Sequence, residues 1–148
     1  MASGIPEGLH TVTPYIRVSG ASELIEFLKK AFDAKELHRF NAPDGSITHA
    51  DAQIGDSRVM ITEGMEHFEP MPASIYLYVA DVDKTYRAAI EAGAVSMMEP
   101  ADMFYGDRSS GVRDPFGNEW WIATHVEDVS AEELHRRHQE AMKKKHGG

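Results

Sequence analysis

The chain has 148 residues, 42% of them apolar and 26% charged, enough for one domain of ordinary size or two small modules that share a core. A net charge of −9 without clustered Lys and Arg excludes a nucleic-acid partner, and the one basic run, Lys143 to Lys145, reads as a solvated helix end. The absence of cysteine excludes disulfides, thiolate metal sites and a cysteine nucleophile. Met1 to Gly8 lack the basic start and apolar core of a signal peptide, and no apolar run is long enough to span a membrane, so a cytoplasmic protein with no membrane partner is expected.

In chain order, a strand at Tyr15 to Val18 leads into a helix over Ser22 to Phe32, where Leu24, Ile25, Phe27, Leu28, Ala31 and Phe32 recur at helical spacing. Three strands are expected next, Lys35 to Asn41, Ser46 to Ile54 and Ser57 to Glu63, separated by Pro43-Asp44-Gly45 and Gly55-Asp56. Met65 to Ala73, with Pro70 and Pro72, reads as a linker. The run Tyr76-Leu77-Tyr78-Val79 then repeats Tyr15-Ile16-Arg17-Val18 at a spacing of 61 residues and leads into a helix over Asp81 to Ala92, with Asp81 as N-cap and Gly93 just past its end. Val95 to Glu99, Ser109 to Arg113 and Glu119 to His125 supply three more strands, so the order βαβββ occurs twice. Ser130-Ala131-Glu132-Glu133 is a capping box opening a charged helix to about Lys145, a surface or dimer-edge appendage.

The turn before the last strand is the most distinctive local signal. In Asp114-Pro115-Phe116-Gly117, proline presets φ, the aspartate can bond the backbone two residues on, and the glycine supplies a positive φ. Neither βαβββ half can bury a convincing core alone, so the halves pair with each other or each with its counterpart in a second chain; both arrangements stay open.

The doubled βαβββ order, Gly55-Asp56-Ser57, Tyr105-Gly106-Asp107-Arg108 and Asp114-Pro115-Phe116-Gly117-Asn118-Glu119-Trp120 together resemble the vicinal oxygen chelate superfamily over residues 10 to 126, in its PhnB-like glyoxalase and bleomycin-resistance branch. The resemblance implies an α+β fold in one domain over residues 1–148: module one at about 10–64, a linker at 65–73, module two at about 74–126 and a C-terminal helix at about 130–145. The modules would form a cupped mixed sheet with helices on the convex side and a cavity on the concave side, in a homodimer. Metal-using members place ligands near the start of each module's first strand and on its last strand. The corresponding positions here are Thr13, Ser74 and Trp121, with Glu63 the only survivor, short of the three protein ligands a catalytic metal normally needs. No cofactor is therefore expected, although a divalent metal at a displaced site stays open.

Of the histidines, His10, His67, His135, His138 and His146 are expected in solvent. His49 differs, because alternation in Ile47 to Ile54 puts His49, Asp51 and Gln53 on one face and Ala50, Ala52 and Ile54 on the other. His49 could serve as an acceptor or general base, and His125 falls at the cavity mouth. Ser74, Tyr76 and Tyr78 share a face that Trp121 joins, and Met97, Met98, Met103, Phe104 and Tyr105 lie in an irregular segment suited to a lid. Two function classes follow. One is a metal-independent protein that binds a small hydrophobic or aromatic molecule through Arg17, Tyr76, Tyr78, Trp121, Phe104 and Tyr105. The other is a lyase, isomerase or dioxygenase that uses a displaced metal or a His49–Glu63 acid–base pair.

Overall fold

The computed structural model describes residues 4–146; Met1 to Ser3, Gly147, Gly148 and the His146 side chain lie outside the described residues, and with them the expectation for His146 and the two ends of the expected domain. The chain forms β1 (Tyr15–Val18), α1 (Ala21–Phe32), β2 (Lys35–Asn41), β3 (Ile47–Ile54), β4 (Ser57–Glu63), β5 (Ser74–Tyr78), α2 (Val82–Glu91), β6 (Val95–Asp102), β7 (Asp107–Arg113), β8 (Glu119–His125) and α3 (Ala131–His146). The eight strands form two four-stranded mixed sheets of identical topology, β1-β4-β3-β2 and β5-β8-β7-β6. In each, the first and last strands of the module run parallel and the other neighbours antiparallel.

Each helix forms where its apolar residues can be buried. α1 buries Ala21, Leu24, Ile25, Phe27, Leu28, Ala31 and Phe32, more than half its circumference, because it packs on its own sheet and on α2 together. α2 buries only Val82 and Ala89 and starts at Asp81, whose side chain accepts from the Lys84 N–H as an N-cap should. The two modules share one apolar cluster, and Phe32 of α1 meets Trp120 of β8 across the module boundary at 5.1 Å. The helices thus cover one face of each sheet, and the opposite faces stay open. On β5 this gives exposed Ser74, Tyr76 and Tyr78 alternating with half-buried Ile75 and Leu77.

The Asp114 turn is a packing device. Gly117 adopts φ 95° and closes the turn through its N–H to the Asp114 carbonyl. Asp114 is 3% exposed and its carboxylate accepts from Phe116 N–H, Asn118 N–H, Asn118 Nδ2 and Trp120 Nε1 at 2.8–3.0 Å. Asn118 Oδ1 in turn accepts from Ala73 N–H, tying the end of the linker to the core.

Two expectations need correction. β6 does not stop at Glu99, and β7 starts at Asp107 rather than Ser109, so Met97 and Met98 are strand residues and not part of a lid. Pro100 is tolerated because β6 is an edge strand whose register shifts between Met98 and Ala101. What remains between the strands is the short turn Met103 to Gly106. It is pinned: Met103 N–H donates to Asp107 and the Gly106 carbonyl accepts from Val126 and Glu127. Gly106 has φ 95°, and a Cβ there would lie 2.2 Å from the Glu127 carbonyl oxygen, so only glycine fits. α3 opens on Ser130, whose hydroxyl accepts from Glu133 N–H, and docks on this turn through Arg137, which donates to the Phe104 carbonyl and to Glu127. No helix among the described residues is long and apolar enough to cross a membrane.

Candidate functional site

The open face of the second sheet carries most of the expected binding residues. Tyr76 and Tyr78, two apart on β5, point the same way with ring centroids 5.2 Å apart. Trp121, paired with Tyr76 in register, lies over Gly111 of β7, where a Cβ would meet its ring at 2.5 Å; the glycine makes the slot in which the indole rests. The Trp121 Nε1–H donates to Ser74 Oγ. Tyr105 bears on the Tyr76 hydroxyl from the pinned turn and stacks edge-on against Phe104 at 5.2 Å. Phe104 in turn touches His138 of α3 at 5.8 Å, beside a groove of about 330 Å³ lined by Phe104, Tyr105, Leu134, His135 and His138.

Beneath these rings sits a carboxylate that sequence reading missed. Asp107, 3% exposed, accepts from Tyr76 Oη at 3.0 Å, Tyr78 Oη at 2.9 Å and His125 Nδ1 at 2.9 Å. Burial pushes its carboxyl up, but the hydrogen bonds from His125, Tyr78 and Tyr76 outweigh that and hold it below the ordinary carboxylate range. Bonds to Asp107 and then to Asp128, which His125 Nε2 meets at 2.7 Å, raise the imidazole above its ordinary value. Burial raises the Tyr76 phenol, and the bond to Asp107 raises that of Tyr78, so both stay neutral donors. The one signal for Asp107 was alternation along β7, which sets Asp107, Ser109 and Gly111 on one face.

The open face of the first sheet is built differently. Its residues, matched through the strand register, include Tyr15 and Arg17 of β1, Met60 and Thr62 of β4, His49 and Asp51 of β3 and Phe40 of β2. His49 Nε2 bonds Asp51 at 2.9 Å and its ring lies 6.4 Å from Tyr15. The linker folds back on this face: Met71 N–H donates to the Arg17 carbonyl, Met65 and Phe68 exchange backbone hydrogen bonds, and Phe68 lies under the Arg17 guanidinium at 5.7 Å.

Glu63 stands on the other face. It pairs with Val18, and its two carboxylate oxygens accept from Gly20 N–H at 2.9 Å and Ala21 N–H at 3.0 Å, the start of α1. Gly20 has no side chain with which to cap its own helix; Glu63 does so across the sheet. Thr124, 61 residues on, makes the equivalent contact in module two, accepting from Val82 N–H at 2.8 Å. His49 and Glu63 are therefore on opposite faces and are not brought together. The positions at which the superfamily resemblance puts metal ligands do not fit a divalent ion. Thr13 Oγ donates to the His10 carbonyl, Ser74 Oγ takes the Trp121 indole, an indole has no lone pair to give, and Glu63 is occupied by the helix start. No three His, Asp or Glu side chains among the described residues are placed to hold a metal. The grooves that border Arg17 are separate from those that border Tyr76 and Tyr78.

The relatives agree with this architecture. Uncharacterized proteins of Mycobacterium bovis and Mycobacterium tuberculosis are each 35% identical over 134 residues, which is 83% of this chain and 88% and 79% of theirs. Among solved structures, TioX from Micromonospora superposes with a TM-score of 0.65 at 24% identity over 78% of this chain and 99% of that one. TnmS3, an antibiotic binding protein from Streptomyces, gives 0.64 at 17% identity over 84% and 100%, and the PhnB protein from Bacillus cereus 0.62 at 15% over 78% and 99%. At these identities the structural likeness speaks for the fold alone. A family model matches residues 8–122, and on that match and the curated relatives the chain belongs to the glyoxalase/bleomycin resistance protein/dioxygenase superfamily.

Proposed function

We propose that this protein binds a flat, hydrophobic or aromatic small molecule without transforming it, and that it does so as a homodimer. The observation that carries the reading is the ring series of exposed Tyr76 and Tyr78 beside half-buried Trp121, whose two phenols are anchored on one buried carboxylate. Large rings left at a surface are costly unless something covers them, and rings held in fixed orientation bind a planar ligand with little loss of side-chain entropy. The name of TnmS3 points the same way for a neighbour of this fold. Tyr15, Phe40, Phe68 and Met71 are exposed on or beside the open face of module one, and they support a second copy as the cover that brings the two kinds of face together.

An enzyme built on His49 and Glu63 is the less favoured reading, since both Glu63 carboxylate oxygens accept from the start of α1 and His49 is bonded to Asp51. The test is a titration with planar antibiotics and other polycyclic aromatics, read by tryptophan fluorescence. Saturable quenching in the wild type, lost in Trp121→Phe although buried Trp120 still emits, is the expected outcome. Quenching that persists in Trp121→Phe would move the site elsewhere. Sedimentation velocity at micromolar concentration is expected to give twice the monomer mass, and a monomer at all concentrations would remove the dimer from the reading.

A further inference from the structure

Among the described residues, Arg17 is the one half-buried arginine without an oxygen partner. Arg39, Arg58, Arg108, Arg113, Arg136 and Arg137 each donate to a carboxylate, amide or carbonyl oxygen, and Arg87 is an exposed residue of α2. The Arg17 guanidinium donates to none among the described residues and makes only the contact over Phe68. This is unexpected in a chain with 24 carboxylate side chains against 15 Lys and Arg. A guanidinium carries five N–H donors in a planar fork, and leaving them unmatched in a groove is unfavourable unless an anion of matching geometry comes to it.

The surroundings are shaped for such an anion. Tyr15, Arg17, Thr48, Thr62, Met65 and Phe68 line a groove of about 410 Å³ on the open face of module one. Glu63 also borders it, but both its carboxylate oxygens are held by the start of α1 and do not compete for Arg17. Glu66 and Glu69 border a separate depression on the other side of Arg17 and form no ion pair with it. The Thr62 hydroxyl proton is committed to the Thr48 carbonyl, which leaves the Arg17 fork as the donor in this groove. The fold of the linker fixes the geometry, because Met71 pairs with Arg17 through the main chain while the Met65–Phe68 turn sets the phenyl ring beneath the guanidinium. Stacking on Phe68 restrains the fork without using its donors.

We propose that the Arg17 groove is an anion-recognising site, which takes the carboxylate or phosphate of an amphiphilic small molecule and lays the apolar body of that molecule against Tyr15, Met65 and Phe68. The site deepens the small-molecule reading and rests on it, and it adds the charge of the ligand. It uses residues of one chain only and none of the second-sheet rings.

The test uses 2-naphthoate, 2-naphthyl phosphate and uncharged 2-naphthamide on the full-length protein, by calorimetric titration at low and physiological salt. Wild type is expected to prefer an anion over the amide by about tenfold or more, as one charge-assisted bidentate contact implies. Arg17→Gln is expected to abolish that preference while amide binding stays, and Trp121→Phe is expected to leave the preference intact. The two anions distinguish carboxylate from phosphate ligands, and a preference for either supports the site. Independently of whether Arg17→Gln folds, the Arg17 Nε–H resonance of wild type, assigned with Arg17→Lys, is expected to shift with the anions and not with the amide. Equal binding of anions and amide, or a preference that survives in Arg17→Gln, overturns the anion site alone. Failure of all three compounds to bind overturns it together with the small-molecule reading.

Discussion

The two modules repeat one topology with an offset of 61 residues, and comparing matched positions separates what the fold requires from what each face is for. On the helix side the equivalents do the same job: Val18 matches Val79, and Glu63 and Thr124 each accept a backbone N–H from the start of the following helix. On the open side they diverge. Arg17 corresponds to Tyr78 and Met60 to Trp121, so one face presents a guanidinium and the other a wall of rings over Asp107. The hairpins diverge too, since module one joins β3 to β4 through Gly55-Asp56 and module two joins β7 to β8 through the hydrogen-bonded Asp114 turn. Packing and the needs of helix ends hold the covered face to one solution, while the open faces are free to differ.

The hairpin contrast carries the largest expected effect. Asp114→Ala leaves four donors without their acceptor, two of them in the fully buried side chains of Asn118 and Trp120, and is expected to cost about 3–5 kcal/mol in urea unfolding. Asp56→Ala in the corresponding link removes one exposed bond to Ser57 and should stay within about 0.5 kcal/mol. Similar costs at the two turns would break the contrast. The helix starts come next: Glu63→Ala and Thr124→Val are each expected to cost about 1–2 kcal/mol. A Glu63→Ala protein of full stability but lost binding would return Glu63 to the list of site residues.

Smaller effects probe the Asp107 cluster. Tyr78→Phe removes one of its three donors and is expected to cost about 1 kcal/mol, with the Asp107 carboxyl rising toward its ordinary value, readable by NMR titration. The smallest effect is a pH dependence. Because contacts with Asp107 and Asp128 raise the folded-state pKa of His125, the stability it contributes is complete below the ordinary imidazole value of 6.5 and is lost as pH rises through the raised value. Denaturant midpoints should therefore decline just above pH 6.5 in the wild type and run flatter in His125→Asn, with Asp128→Asn between them. For Asp107 the sign is opposite, since its depressed pKa contributes stability above the ordinary carboxylate value of 3.8 that is lost as pH falls through the lowered one. A His125 that titrates at its ordinary value in NMR would show that the cluster is not formed.

Local signals placed most elements. Asp81 and Ser130 cap their helices as their residue types and spacing foretell, Gly117 closes its turn, and the last strand runs from Glu119 to His125 as its composition indicates. Each rests on contacts within a few residues. The alternation that sets Tyr76 and Tyr78 apart from Ile75 and Leu77 is equally local, which is why the aromatic wall was legible. Pro100 misled because a strand tolerates proline only at an edge, and whether β6 is an edge depends on the sheet order.

Sequence by itself thus determined the doubled βαβββ order, the helix caps, the Asp114 turn and the side-chain parity of each strand, all consequences of backbone geometry over short distances. Tertiary structure alone decided that Glu63 serves a helix start 42 and 43 residues away, and that Asp107 gathers Tyr76, Tyr78 and His125. It also decided that Arg17 lies over Phe68 without an oxygen partner among the described residues. Those choices depend on strand register and on which faces the helices cover, and no period in the sequence encodes contacts between residues so far apart.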